Sequence, residues 1–334
     1  MRPLMTSSTT VSDSSFLEHR RALVPDRVVD WLGDDAVDQA LLEEAEVLTP
    51  MMSDLDRARP RCHRYPLAGA IEADYLPQML EIGGFGHALV GLGFKSHRSD
   101  LPFFDFLTGS IDVTSFDVLR ALLHAVQDRF AHMPHAPVRI QLGDNAATHA
   151  LETALELAGL TVDVDRIVMS APLIDVMNRK PLSGMERIEV QRPSDLGFFA
   201  KYRRAYDEFH ALSPTLQDDV APESEADLAD WLDSGEVREI MVDGKWAGLV
   251  AAIPTSQHGC PGYQMVEEIL DPAFHGQRLA APMQRCFLAS LPKLDHRLVW
   301  GLIHPSNHPS LRTAERVGRV RIGQTLLLRL RDAA

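Results

Sequence analysis

The sequence is poor in cysteine. Cys62, Cys260 and Cys286 are the three it has in 334 residues, and no Cys-x-x-Cys pair occurs. That spacing argues against a disulfide framework and a cysteine zinc site. No run of about 18 apolar residues occurs, so neither a membrane-spanning helix nor a membrane partner is expected. Met1 to Ser15 is rich in Ser and Thr and lacks the apolar core of a signal peptide. It reads as the loose tail of a cytoplasmic protein. Positive charge is in deficit: Lys and Arg number 33 against 47 Asp and Glu, a formal net charge of −14. Phosphate backbones need Lys and Arg, so nucleic acid is not an expected partner. The acidity favours a cationic substrate, or is that of an ordinary acidic soluble protein. Catalytic signatures are missing as well. There is no Gly-x-Ser-x-Gly elbow for serine hydrolysis. The glycines Gly83, Gly84, Gly86, Gly91 and Gly93 form no P-loop, and Leu89 fills the last position of a dinucleotide fingerprint. His304 and His308 stand four apart with Pro305 between them and no third ligand near, so no metal is expected.

What is present suffices for two domains, since 45% of the residues are apolar. Residues 16–60 carry apolar pairs at helical intervals, interrupted by Pro25. Tyr75 to Phe94 reads as strands with tight turns. An internal echo follows. Val118 to Phe130 is a helix, Val138 to Leu142 a strand, His149 to Leu157 a helix ending at Gly159, and Thr161 to Ser170 a strand. Later, Leu279 to Leu291 is a helix, Leu298 to Ile303 a strand, Ser310 to Val317 a helix stopped by Gly318, and Val320 to Leu330 a strand. Order and spacing nearly repeat. Arg179 to Glu186 is the expected linker. After it come a strand at Arg187 to Val190, a helix capped by Ser194-Asp195 and running to Phe209, and a helix from Pro222 through Leu232. Val237 to Val242 and Trp246 to Ile253 form a hairpin across Asp243-Gly244. The expected division is 1–60 as tail and helical extension, 61–178 as a first domain and 187–334 as a second.

Two segments carry the chemistry. Leu270-Asp-Pro-Ala-Phe-His-Gly-Gln-Arg-Leu-Ala280 leaves a strand and enters a helix through a loop containing Gly276. Such a junction presents free backbone N–H groups to an anion. Asn307-His-Pro-Ser310 opens another helix just after a strand. Together they suggest a site for a long, phosphate-bearing cofactor. In this order of elements, both segments resemble the GNAT acetyltransferase family over about 145 residues, Arg187 to Leu330. His275 to Ala280 stands where the family has Arg/Gln-x-x-Gly-x-Gly/Ala. Asn307-x-x-Ser310 and Gly318 stand at its later Asn and helix-ending Gly. His275 and Arg278 depart from the pattern, and Ala314 takes the place of the family's frequent tyrosine acid.

The resemblance implies a mixed-sheet α+β fold of two tandem GNAT-like acyl-CoA N-acyltransferase domains. The first copy is degenerate, with Ser110 to Asp117 lacking glycine at its loop. The family's activity would be transfer of an acetyl group from acetyl-CoA, a co-substrate, to a primary amine of a small molecule. Main-chain N–H groups of Gln277, Arg278, Leu279 and Ala280 would hold the pyrophosphate, beside His275 and Gly276. The pantetheine arm would lie along Ile269 and Leu270. Asn307 would hold the arm or cap its helix. Ser310 and Arg316 are further cofactor candidates, and Arg316 reads equally as a solvated helix face. Glu267 and Glu268 face opposite sides of one strand, so at most one reaches the acceptor groove as base. His304 and Tyr263 are candidates for proton relay. The acidic run from Gln217 to Glu236 attracts an amine or is a solvated face. A coenzyme A-binding sensor without turnover and a transferase using another acyl thioester stay open, as does oligomer formation.

Overall fold

The computed structural model describes residues 14–133, 135–157, 160–292 and 297–330. Gly159 and most of the Met1–Ser15 tail lie outside these residues. The chain divides into two compact units. Unit 1 comprises Met1–Asp163, Ser256–Gly259 and Leu326–Ala334; unit 2 comprises Val164–Thr255 and Cys260–Thr325. Among the described residues no helix is long and apolar enough to cross a membrane.

Unit 1 opens with four helices, α1 (Ser14–Arg21), α2 (Asp26–Leu32), α3 (Asp34–Met51) and α4 (Leu55–Arg64). Pro25 sits at the N-cap of α2, where a missing N–H costs nothing. The apolar stripe of α3 buries Val37, Ala40, Leu41, Ala45 and Leu48. Strands β1 (Gln78–Glu81), β2 (His87–Phe94) and β3 (Pro102–Gly109) follow in antiparallel order. Then come α5 (Phe116–Arg129), β4 (Val138–Gly143), α6 (Ala146–Leu157) and β5 (Leu160–Pro172), and β4 runs parallel to β3. Strand β3 has no clear sequence signal, because Pro102 and two adjacent phenylalanines hide the alternation. The loop before α5 is filled from within. Ile111 and Val113 are buried in the core, and the Asp112 carboxylate accepts from the N–H and hydroxyl of Thr114.

Unit 2 contains α7 (Leu173–Asn178), β6 (Ile188–Gln191), α8 (Phe199–Leu212), α9 (Glu225–Ser234), β7 (Val237–Val242), β8 (Lys245–Thr255) and β9 (Gly262–Leu270). It continues with α10 (Ala280–Ser290), β10 (Leu298–Ile303), α11 (His308–Val317) and β11 (Val320–Leu330). The β7–β8 hairpin turns through Asp243 and Gly244, both at positive φ (49° and 74°). That is the two-residue turn whose twist matches the strands. Strands β6, β7, β8 and β9 pair antiparallel in sequence order, and β10 lies parallel to β9. The order β3-α5-β4-α6-β5 in the first half repeats as β9-α10-β10-α11-β11 in the second, so the echo in the sequence is an echo in the architecture.

The compact units do not follow the linear division at 178/187. Ile167 to Pro172 of β5 pair antiparallel with β10 and belong to unit 2. The last residues of β11 belong to unit 1, where Leu326 and Leu328 join its core. Each half therefore ends in a strand that completes the other unit.

Candidate functional site

Strands β9 and β10 begin close together and then part. At Gly262 a Cβ would meet the Leu298 carbonyl oxygen at 2.0 Å, so only glycine permits that approach. Pairing continues through Gly301↔Met265 and ends there, although β9 runs on to Leu270 and β10 to Ile303. The departure coincides with a bulge. Opposite β8, Ala252 faces Met265 and Ala251 faces Glu267, which leaves Val266 as the extra residue. A bulge bends its strand and breaks the ladder, so it opens the sheet at this point. Beyond it lies a cleft of about 360 Å³.

The cleft reaches the loop between β9 and α10. Internal hydrogen bonds fix this loop. Asp271 accepts from the Ala273 N–H (2.9 Å), His275 Nε2 donates to the Leu270 carbonyl (2.9 Å), and the His275 N–H donates to the Pro272 carbonyl (3.0 Å). Gly276 and Arg278 both stand at positive φ, 77° and 61°. No side chain caps α10. Among the described residues, none accepts from the N–H groups of Arg278, Leu279, Ala280 or Ala281. Pro282 follows as the third helical residue and has no N–H to satisfy. The result is a run of unused donors at the positive end of a helix dipole, which suits an anion. An added Cβ at Gly276 would meet nothing within 4 Å, so the approach to this backbone is open.

Arginine in the left-handed region costs about 1 kcal/mol or more. Its release offsets the chain entropy that a glycine adds to the unfolded state. Arg278→Gly is therefore expected to hold the melting temperature or raise it by a few degrees. A fall of several degrees in a calorimetric scan would show that the guanidinium secures the loop instead.

The two glutamates of β9 lie in different surroundings. Glu267 is buried beneath α8, where Tyr202 Oη donates to Oε2 (2.5 Å) and Tyr206 Oη donates to Oε1 (2.8 Å). Tyr202 Oη in turn accepts from the Glu223 N–H (2.6 Å). Burial pushes the Glu267 carboxyl up to about 8, the two phenols pull against that, and the charge of Glu223 adds to it. Both phenols are raised far above their ordinary value by burial and by the adjacent carboxylate. Glu268 points to the α10 side, where it accepts from Gln284 Nε2. Burial raises its carboxyl as well, against the opposing charge of Arg319. Glu268 and Tyr206 line the cleft; Glu267 sits behind Tyr206.

No protein-family model matches the chain, and no curated protein matches it. Solved structures do. A tandem GNAT protein from the clavulanic acid biosynthesis pathway shares 12% identity, with 85% of this chain and 97% of that chain covered and a TM-score of 0.46. A GCN5-related N-acetyltransferase from Kribbella flavida shares 12%, covering 84% and 96% at a TM-score of 0.44. A GNAT-family acetyltransferase from Colwellia psychrerythraea shares 11%, covering 84% and 97% at 0.46. These three solved structures are named as GNAT proteins or N-acetyltransferases, and others this chain is similar to are described as proteins of unknown function. The likeness is one of fold.

Of the residues that the GNAT resemblance singles out, Glu268, Ile269, Leu270, His275, Gly276, Arg278, Leu279, Ala280, Asn307 and Ser310 come together around the cleft. Asn307 Oδ1 accepts from the Ser310 N–H (3.3 Å), so its carbonyl oxygen caps α11 and its amide N–H groups are left for other use. Glu267, Gln277, Arg316, His304 and Tyr263 lie off the lining. Gln277 donates to the Ala273 carbonyl and accepts from Arg187. Arg316 is exposed in the last turn of α11, while the cleft meets the first turn. His304 faces Asp219 (Nε2 to Oδ2, 3.3 Å), and its Nδ1 accepts from the Ser306 N–H. Tyr263 lies at the paired end of the fork and donates to the Pro292 carbonyl. Ala314, at the position of the GNAT tyrosine, is fully buried. Sequence reasoning missed Tyr202 and Tyr206. Their i, i+4 spacing on one helix face was the available signal, but nothing local marks their partner 61 to 65 residues away.

Proposed function

We propose that unit 2 transfers an acyl group, most simply acetyl, from a coenzyme A thioester to a primary amine. The parting of β9 from β10 after Met265, leading to the unused N–H groups of α10, carries the reading. The fit is of donors to charge: Arg278 to Ala281 would take the diphosphate, and Ile269, Leu270 and Asn307 would flank the arm. Bound there, the thioester supplies the acyl carbon, at which a C–N bond forms as the C–S bond breaks.

The remaining chemistry belongs to this chain. An amine attacks only as the free base, so its proton must leave. Tyr206 lines the cleft and donates to Glu267; a proton accepted at Tyr206 Oη lets the phenol pass its own to the carboxylate. An ordinary glutamate is a poor match for an alkylamine, whereas a carboxyl near pH 8 is closer. The stored proton is then available to the departing sulfur, which balances the exchange of amine for thiol. Exposed Asp218, Glu225, Asp230 and Asp233 support attraction of a cationic acceptor.

The test is thiol release from acetyl-CoA with a panel of primary amines. Acceptor-dependent release supports transfer. Tight coenzyme binding with no release on any amine would favour a sensor, and no binding at all would remove the cleft assignment.

A further inference from the structure

Unit 1 has a fork of its own. Strands β3 and β4 pair at Phe104↔Val138 and Asp105↔Arg139, and among the described residues the pairing stops there, although β3 runs on to Gly109 and β4 to Gly143. The Pro137 carbonyl accepts from the Phe104 N–H, so the odd residues of β4 turn their backbone groups toward β3. Past the last pair, the Gly143 N–H therefore points into the fork. It donates to the Leu23 carbonyl (3.1 Å), in the turn between α1 and α2. The contact is close, for a Cβ at Gly143 would meet that oxygen at 2.5 Å and the Pro25 nitrogen at 2.6 Å. Asn145 adds a second donor. Its Oδ1 accepts from the Thr148 N–H (3.1 Å), as that of Asn307 does from Ser310, and its amide donates to the carbonyls of Ala22 (3.2 Å) and Val24 (3.5 Å). One corner thus takes up three successive carbonyls. Leu23 joins the core of unit 1. Arg20, only 6% exposed, donates to Glu44 (3.1 Å) and to His258 Nδ1, and the His258 N–H donates to the same carboxylate (2.9 Å), all within unit 1.

We infer that the fork of unit 1 is a binding site for peptide carbonyl groups, and that its ligand is the chain's own turn at residues 22–25, latched by Arg20. A backbone donor buried where a ladder has ended needs an acceptor, and the carbonyls of a buried turn need donors; here each satisfies the other. The occupant is tethered, so it holds the site at a high effective concentration and keeps a free competitor out. The assignment concerns unit 1 alone, so it stands whether or not unit 2 takes coenzyme A.

Amide hydrogen exchange at Gly143 in the full chain tests it. The wild-type amide is expected to exchange at least about 100-fold more slowly than an exposed one. Leu23→Asp, which would bury a charge, is expected to release the turn and remove that protection. A synthetic peptide of residues 14–32 should then restore it and saturate at one per chain, whereas the same peptide with Leu23→Asp should not. Pantetheine, an amide-bearing chain of another kind, should not restore it either. Should Leu23→Asp not fold, Asn145→Asp keeps the cap on Thr148 and removes the amide donor; it is expected to speed Gly143 exchange about tenfold. The assignment is overturned by a rapidly exchanging Gly143 amide in wild type, or by full protection in the variant that folds. It is equally overturned by a native peptide that fails to saturate below about 1 mM, or by protection restored with pantetheine.

Discussion

Glu267→Gln is expected to lower kcat/KM by about 100-fold or more, the usual weight of a positioned proton acceptor. Wild-type activity should rise with pH and level off above about 8, where the Glu267 carboxyl ionises. The variant should lose that limb. Stability moves the other way. Burial holds the folded carboxyl above its ordinary 4.5, so the folded state binds the proton more tightly than the unfolded chain does. The resulting stability is present in full below about 4.5 and is lost as pH rises through about 8. At about 1.4 kcal/mol per pH unit, the span amounts to roughly 5 kcal/mol. Gln keeps hydrogen-bonding capacity for both tyrosines and carries no charge. Glu267→Gln should therefore melt higher than wild type at pH 9 while being nearly inactive. Tyr206→Phe should share the activity loss, because it cuts the path from the cleft. Full activity in Glu267→Gln, with the pH limb intact, would transfer the base role to Glu268 or to solvent.

Gly276→Asp is expected to weaken coenzyme A binding by about 100-fold, because it sets a carboxylate beside the groups that grip a diphosphate and like charges cost several kcal/mol. The side chain has room, since an added Cβ meets nothing within 4 Å. The backbone at φ 77° adds about 1 kcal/mol of strain. Gly276→Asn has nearly the same shape and tolerates the left-handed region, so it isolates the charge. Asn should cost less than about tenfold in the dissociation constant, about 1.4 kcal/mol. Equal losses for Asp and Asn in a calorimetric titration would mean that shape governs this corner. Wild-type affinity in both would place the diphosphate elsewhere.

The local signals in the sequence were legible because each rests on a few neighbouring residues. Asp243-Gly244 meets the φ demands of its turn, Gly318 ends α11 in the left-handed region, and Asn307 caps it. The adjacency of Glu267 and Glu268 fixed that they face opposite ways. What was not legible depends on residues far apart. No residue type encodes the loss of pairing after Met265; it follows from the Val266 bulge and from how far β10 extends. Nor could the helix reveal that Tyr202 and Tyr206 converge on Glu267 and leave Glu268 to Gln284. Arg319, directly after a helix-ending glycine, is buried, and nothing in its local sequence marks that. Apolar strands such as β5 and β11 carry no address for their partners, so the way each half completes the other unit lies beyond pattern reading.

The fork between β9 and β10 has meaning only if a nucleotide-bearing thioester settles in it. Isothermal titration of the whole chain with acetyl-CoA addresses this most directly. The expected result is one equivalent bound per chain with a micromolar dissociation constant, because unit 2 offers the open loop and the corresponding corner of unit 1 is filled by Ile111 and Val113. No heat of binding, or affinity indifferent to Gly276→Asp, would contradict it.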